Sequence, residues 1–274
     1  MAELLDMFSY TFVQRAVVVG LLISLCAALL GVILVQKRYS LIGHGLGDVG
    51  FASTALAVAL GLPILPVSIP IVIVAACAIM FYSQKVKSSG DIAIGMVATG
   101  SLAAGVVITA VSGGFNVDIN DYMFGSILAM SSLDVTLSLI LSVVIIALFV
   151  LCYNRLFLVT CDETFARASG IRVGFYQFVI ALLTALTVVL GMRMMGSLLI
   201  SSLIIFPAVT AGKLVKSFKA VVGVSVALSM ICFLLGIILS FKINLPTGAS
   251  IVLVNIAVLL VVTVGNKLAG RVRA

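Results

Sequence analysis

The only histidine of this 274-residue chain, His44, stands four residues before Asp48 in the stretch "LIGHGLGDVG", Leu41 to Gly50, and Asp48 is one of just nine acidic residues. On a helix, residues four apart share a face, with Cβ atoms about 5–6 Å apart. An imidazole and a carboxylate so placed suit a borderline divalent cation such as Zn²⁺, Mn²⁺ or Fe²⁺. Two ligands hold an ion weakly; two copies of the chain about a twofold axis would offer four. Gly43 and Gly47 form a G-x-x-x-G pair on the adjoining face, which permits close approach of another helix. The competing reading is a polar helix start, with His44 at the lipid headgroup level and Asp48 favoured by the positive end of the helix.

The elements that must position this pair are membrane helices. With 63% hydrophobic and 9% charged residues, the chain has too little polar surface to coat a water-soluble globule. Its apolar runs last about 17–25 residues, the length that crosses roughly 30 Å of hydrocarbon as a helix, and they do not alternate as barrel strands do. The pattern predicts an all-α polytopic membrane protein of one domain, 1–274, with spans near 12–36, 45–61, 63–84, 91–112, 132–154, 173–192, 196–212, 220–241 and 247–266. Eight spans with one short re-entrant piece is the alternative. The N-terminus "MAELLDMFSY" is acidic where a secretory signal is basic, so the first span is expected to be retained. The five cysteines form no C-x-x-C pair and read as small hydrophobes within apolar runs.

Charge orients the bundle. A cytoplasmic C-terminus with nine spans puts Lys37, Arg38, Lys85, Lys87, Arg155, Arg167, Arg172, Lys213, Lys216, Lys219, Lys267, Arg271 and Arg273 inside. Of the 16 basic residues, only Arg15, Arg193 and Lys242 remain at outer ends, which predicts an external N-terminus. The longest outer loop carries Asp118 and Asp121, read as solvated carboxylates. The net charge of +7 follows from this topology, and the scattered basic residues form no nucleic-acid patch.

Apart from His44 and Asp48, the spans lack the mid-membrane ionisable groups that proton-coupled carriers keep. There is no G-x-x-x-x-G-K-[ST] phosphate loop; "TAGKL", Thr210 to Leu214, has only the GK pair. Uphill transport would therefore need an ATP-hydrolysing partner. Pro207 in "IIFPAVTAG" removes a backbone donor and frees the carbonyl of Leu203, which predicts a kink. Gln177 and Asn255 read as interhelical hydrogen-bond partners.

Several blocks, in order, resemble the permease subunits of ATP-driven zinc, manganese and iron uptake systems. They are "KRYSLIGHGLGDVGFASTALAVALGLP", "SGDIAIGMVATGSLAAGVV", "DYMFGSIL", "CDETFARASGI", "GSLLISSLIIFPAVTAGKL" and "LPTGASIVLV". They run from about Val32 to Leu253, and their joint order is more specific than any one block. The family's usual order, carboxylate first and histidine four residues later, is reversed here.

The resemblance implies a homodimeric permease in the plasma membrane of a prokaryote, surrounded by lipid. It would have no resident cofactor and would carry a divalent metal ion as substrate. Its partners would be an ATP-binding-cassette ATPase and an extracytoplasmic metal-binding lipoprotein or periplasmic protein, with no nucleic acid. His44 and Asp48 would line the metal pathway. "CDETFARASGIRV" would be a cytoplasmic coupling segment beginning at Asp162, with Phe165 and Ile171 docking in the ATPase and Arg167 and Arg172 at the rim. A permease for a metal chelate of the siderophore or cobalamin type is the nearest alternative; an ATPase-independent carrier is the other.

Overall fold

Backbone N–H and C=O groups find no water in hydrocarbon, so each long apolar run must satisfy them internally as a helix. The structure, a computed structural model, describes residues 11–86, 90–112, 132–243 and 245–268. Its helices are α1 (Thr11–Gln36), α2 (Ile42–Ala59), α3 (Ile64–Val86), α4 (Gly90–Val111) and α5 (Ser132–Cys161), then α6 (Glu163–Ala168), α7 (Val173–Met195), α8 (Ser197–Leu214), α9 (Phe218–Ile243) and α10 (Thr247–Leu268). All except α2 and α6 are long and apolar enough to cross a membrane, eight helices among the described residues. The protein is a polytopic all-α membrane protein. Asp118, Asp121, Arg271 and Arg273 lie outside the described residues.

Small residues set the packing. Helices α1 and α9 run antiparallel: Ser229 Oγ donates to the Ser24 carbonyl at 3.0 Å and Ser225 Oγ to that of Ala28 at 3.4 Å. One turn beyond Ser24, a Cβ on Gly20 would fall 2.0 Å from the Phe233 ring. On another face of α1, a Cβ on Gly31 would come within 2.1 Å of the Ile204 carbonyl oxygen of α8. Without a hydrophobic driving force between helices in lipid, such close backbone approach supplies the packing energy.

Helix α2 fills the space between α4 and α8. Gly45 meets Ile94 and Ala98, and further along Phe51 and Ala52 meet Gly105, so α2 runs parallel to α4. Gly43 meets Ser201 and Ile204 while Gly47 meets Ser197, so it is antiparallel to α8. Its neighbours screen it from lipid, which lets 18 residues carry four glycines and two ionisable groups where a lipid-facing helix needs near-continuous apolar surface. The close helix approach expected at Gly43 and Gly47 is thus made by α8 of the same chain.

Two expectations change. Helix α5 continues to Cys161, past the expected end near 154, because Arg155 ends an apolar span but does not end a helix. Asn255 Nδ2 bonds the Ile251 carbonyl of its own helix at 2.9 Å instead of a neighbouring helix; a short amide on an α-helix reaches its own preceding turn readily. Gln177 does bond between elements, to Glu163 of α6. Helix α8 runs from Ser197 to Leu214 with the buried Pro207 inside it.

Candidate functional site

The α2 helix presents His44 and Asp48 on the strip between its α8-facing and α4-facing glycines. His44 is exposed and Asp48 half-buried. One and two turns further on the same strip, Phe51 and Ala55 are only 3% and 2% exposed. The strip is therefore open at His44 and closed beyond Asp48. His44 is the third residue of α2, roughly 3 Å along the helix from its first residue at 1.5 Å per residue. Among the described residues no group of three or more His, Cys, Asp or Glu side chains converges. What the pair offers is two nearby ligands of mixed type, without the closed tetrahedral set of a structural site.

The second site is the segment after α5. Asp162 is the N-cap of α6: its Oδ1 accepts the backbone N–H groups of Thr164 at 2.9 Å and Phe165 at 3.0 Å. The Phe165 N–H foremost, then the Thr164 hydroxyl and, to a lesser extent, its N–H favour the charged form and hold the Asp162 carboxyl below the ordinary carboxylate range. At the other end Gly170, at φ +77, takes the left-handed conformation that closes the helix. Its N–H bonds the Arg167 carbonyl and the Ile171 N–H reaches back to Ala166, both at 3.0 Å. That paired closure brings the residue after the glycine onto the body of the protein. Ile171 accordingly packs on the bundle core, so the exposed apolar side chain of the segment is Phe165, at 57%. Arg167 and Arg172 are exposed on either side.

A polar cluster unmarked by any local motif fastens α6 to the bundle. Lys37, at the end of α1 and 8% exposed as a side chain, lies 2.6 Å from Glu163 Oε1. Gln177 Nε2 of α7 donates to the same oxygen at 2.9 Å. The end of α1, the start of α7 and α6 therefore meet at one end of the bundle. The α8–α9 turn comes to this end as well, because α9 is antiparallel to α1. The end of α10 joins through Asn266 Nδ2, 2.9 Å from the Lys213 carbonyl. Lys37, Arg167, Arg172, Lys213, Lys216, Lys219 and Lys267 are gathered there. Only a charge count could have hinted at Lys37, because 126 residues separate it from Glu163.

The bundle of apolar helices thus encloses a small-residue helix that bears an imidazole and a carboxylate, and carries a capped short helix at its basic end. Residues 9–266 match the ABC 3 transport family, and the chain belongs to that family. It is similar to the manganese import system permease protein ScaB of Streptococcus gordonii, 28% identical over 252 residues, covering 92% of this chain and 90% of that protein. It is also similar to the high-affinity zinc uptake system membrane protein ZnuB of Haemophilus influenzae, 28% identical over 238 residues, covering 87% and 91%. Among solved structures, PsaBC from Streptococcus pneumoniae in complex with Fab matches with a TM-score of 0.84 at 27% identity, covering 95% of this chain and 94% of that one.

Proposed function

We propose that this chain, as one permease domain, moves a divalent metal ion of the zinc, manganese or iron kind into the cytoplasm. Two copies form the pathway, an extracytoplasmic binding protein delivers the ion, and separate ATP-binding-cassette subunits drive the cycle. Nine crossings, with α2 among them, keep the basic end of the bundle cytoplasmic. The observation that carries the reading is the position of His44 and Asp48. They are the one imidazole–carboxylate pair of the chain, set on a helix enclosed by its neighbours and standing where its surface strip is open.

The pathway must bind its ion well enough to admit it and weakly enough to release it. Two ligands per chain meet that requirement, and a complete four-ligand site would not. The reversed order of carboxylate and histidine leaves both donors on the same strip. Helix α6 is the docking element: the caps at Asp162 and Gly170 hold its backbone, and Phe165 is the apolar contact presented to the ATPase.

The test is metal content and uptake at limiting metal in cells carrying His44→Ala or Asp48→Ala. Each substitution should reduce uptake by at least the ten- to hundredfold or so that loss of an outer-shell metal partner costs. The double variant should be little worse than either single one, since the pair acts as a unit. Full uptake by both single variants, at normal protein levels, removes the ligand role.

A further inference from the structure

Beside α6, a cavity of about 550 Å³ opens between α5 and α7, lined by Arg155, the turn from Ser169 to Arg172, and Phe175 with Tyr176. None of these lining residues is acidic. Arg155 Nη1 donates to Tyr176 Oη, and the guanidinium lies 5.8 Å from the Tyr176 ring centroid. Tyr176 is in turn braced edge-on by Phe175, with ring centroids 5.4 Å apart at 87°. Arg155 is thereby held in place while using one of its five donors. Arg172 supplies a second cation, and Ser169 a hydroxyl.

The surroundings of the cavity decide what anion it suits. One turn along α5 from Arg155, on the same face and away from α6, Leu151 is 82% exposed; one turn along α7 beyond Phe175, Phe178 is 40% exposed. Both helices are of membrane-crossing length and apolarity. The groove between α5 and α7 thus changes from cationic and hydrogen-bonding at its α6 end to apolar on its bilayer side. A free anion needs only the first half of that arrangement. A phospholipid needs both, and basic pockets between membrane helices at the cytoplasmic surface suit anionic headgroups.

We propose that this cavity binds the phosphate headgroup of an anionic phospholipid, with Arg155 and Arg172 on the phosphate, the Ser169 and Tyr176 hydroxyls beside it, and an acyl chain along Leu151 and Phe178. The lipid would sit against the turn that follows α6, so its presence would brace the docking segment from the membrane side. This goes beyond the transport reading and does not depend on the cargo: the assay below reads lipid and not metal, so either idea can fail alone.

The test uses the full-length chain reconstituted in nanodiscs of equimolar phosphatidylcholine and phosphatidylglycerol, then released for native mass spectrometry. The wild type should retain phosphatidylglycerol in preference to phosphatidylcholine. Arg155→Gln and Arg172→Gln should each weaken that preference about fivefold, and the double variant should lose it. Lys213→Gln with Lys216→Gln, which removes equal charge elsewhere at the same end, should leave it intact. Thermal melting in phosphatidylcholine alone should be alike for all variants, which separates lipid binding from folding. Equal retention by the wild type and the arginine double variant overturns the proposal. So does saturable binding of inorganic phosphate with no phosphatidylglycerol preference, which would make this a free-anion site. A double variant that keeps its lipid and loses a co-purifying protein would also overturn it, because the arginines would then serve a protein partner.

Discussion

The two polar regions of this chain are built in opposite ways. His44 and Asp48 are four residues apart on one helix, and their placement relies on glycines that let α4 and α8 pack close. The α6 region draws Lys37 and Gln177, from two other helices, onto one carboxylate oxygen of Glu163, and closes its helix with a side-chain cap at one end and a left-handed glycine at the other. The first arrangement rests on one helix, and among the described residues no third His, Cys, Asp or Glu side chain converges on it. The second is cross-linked to α1 and α7. On the proposed reading, cargo would meet the sparsely bonded region and the ATPase the cross-linked one.

The sharpest way to break the comparison is at Phe165. A charged residue there, as in Phe165→Asp, should weaken ATPase association about thirtyfold, as loss of a central apolar contact does, and abolish uptake. Thermal stability in detergent should be unchanged, because the side chain is exposed. Normal co-purification of an ATPase subunit and normal uptake would mean that α6 is an ordinary connecting turn.

Next in size is the cross-link itself. Lys37→Ala leaves Glu163 without its cation and should cost about 1.5–3 kcal/mol, the range for hydrogen bonds to charged groups, read as a lower melting temperature. Lys37→Glu should be worse, and Lys37→Glu combined with Glu163→Lys should recover part of the loss. A double variant no better than the single reversal would show that the two residues act independently.

A smaller effect is expected from exchanging the ligands. His44→Asp with Asp48→His should retain uptake within about an order of magnitude, with an altered metal preference, since both donors stay on one strip of α2. Complete loss in a normally folded variant would show that the order of the two ligands matters, and would break the idea that this region tolerates exchange.

The smallest effect concerns the Asp162 cap. Its carboxyl lies below the ordinary value of 3.8 in the folded chain, so its contribution is fully present above that value and is lost as pH falls through the depressed folded value. Hydrogen exchange at the Thr164 and Phe165 amides, corrected for intrinsic rate, should lose protection over that acidic window in the wild type. Asp162→Asn, which can still cap but does not titrate, should show no such dependence. A wild-type profile as flat as that of the variant would exclude the charged cap.

The membrane class, the positions of the long helices and the shared helix face of His44 and Asp48 were legible in the chain because each is a local property. Apolar run length sets a span, and a spacing of four puts His44 and Asp48 on one face whatever surrounds them. The capped turn was also written locally, in Asp162 and Gly170. Its inward-facing residue was not: Ile171 and Phe165 are equally apolar in sequence, and only the closure of α6 at Gly170 turns one to the core and leaves the other outside.

Other features were decided by tertiary structure alone. A small-residue pair states that something comes close without saying what, and it is the path of the chain that brings Ser197 and Ser201 of α8 to Gly47 and Gly43. Asn255 has a donor to satisfy, and helix geometry lets the Ile251 carbonyl satisfy it before any neighbour can. The Lys37–Glu163–Gln177 cluster, and the groove that sets Arg155 beside Tyr176, join residues from different helices. Hydropathy and spacing describe one helix at a time, whereas these contacts depend on the order in which the helices pack, which is set by the summed fit of many weak surfaces.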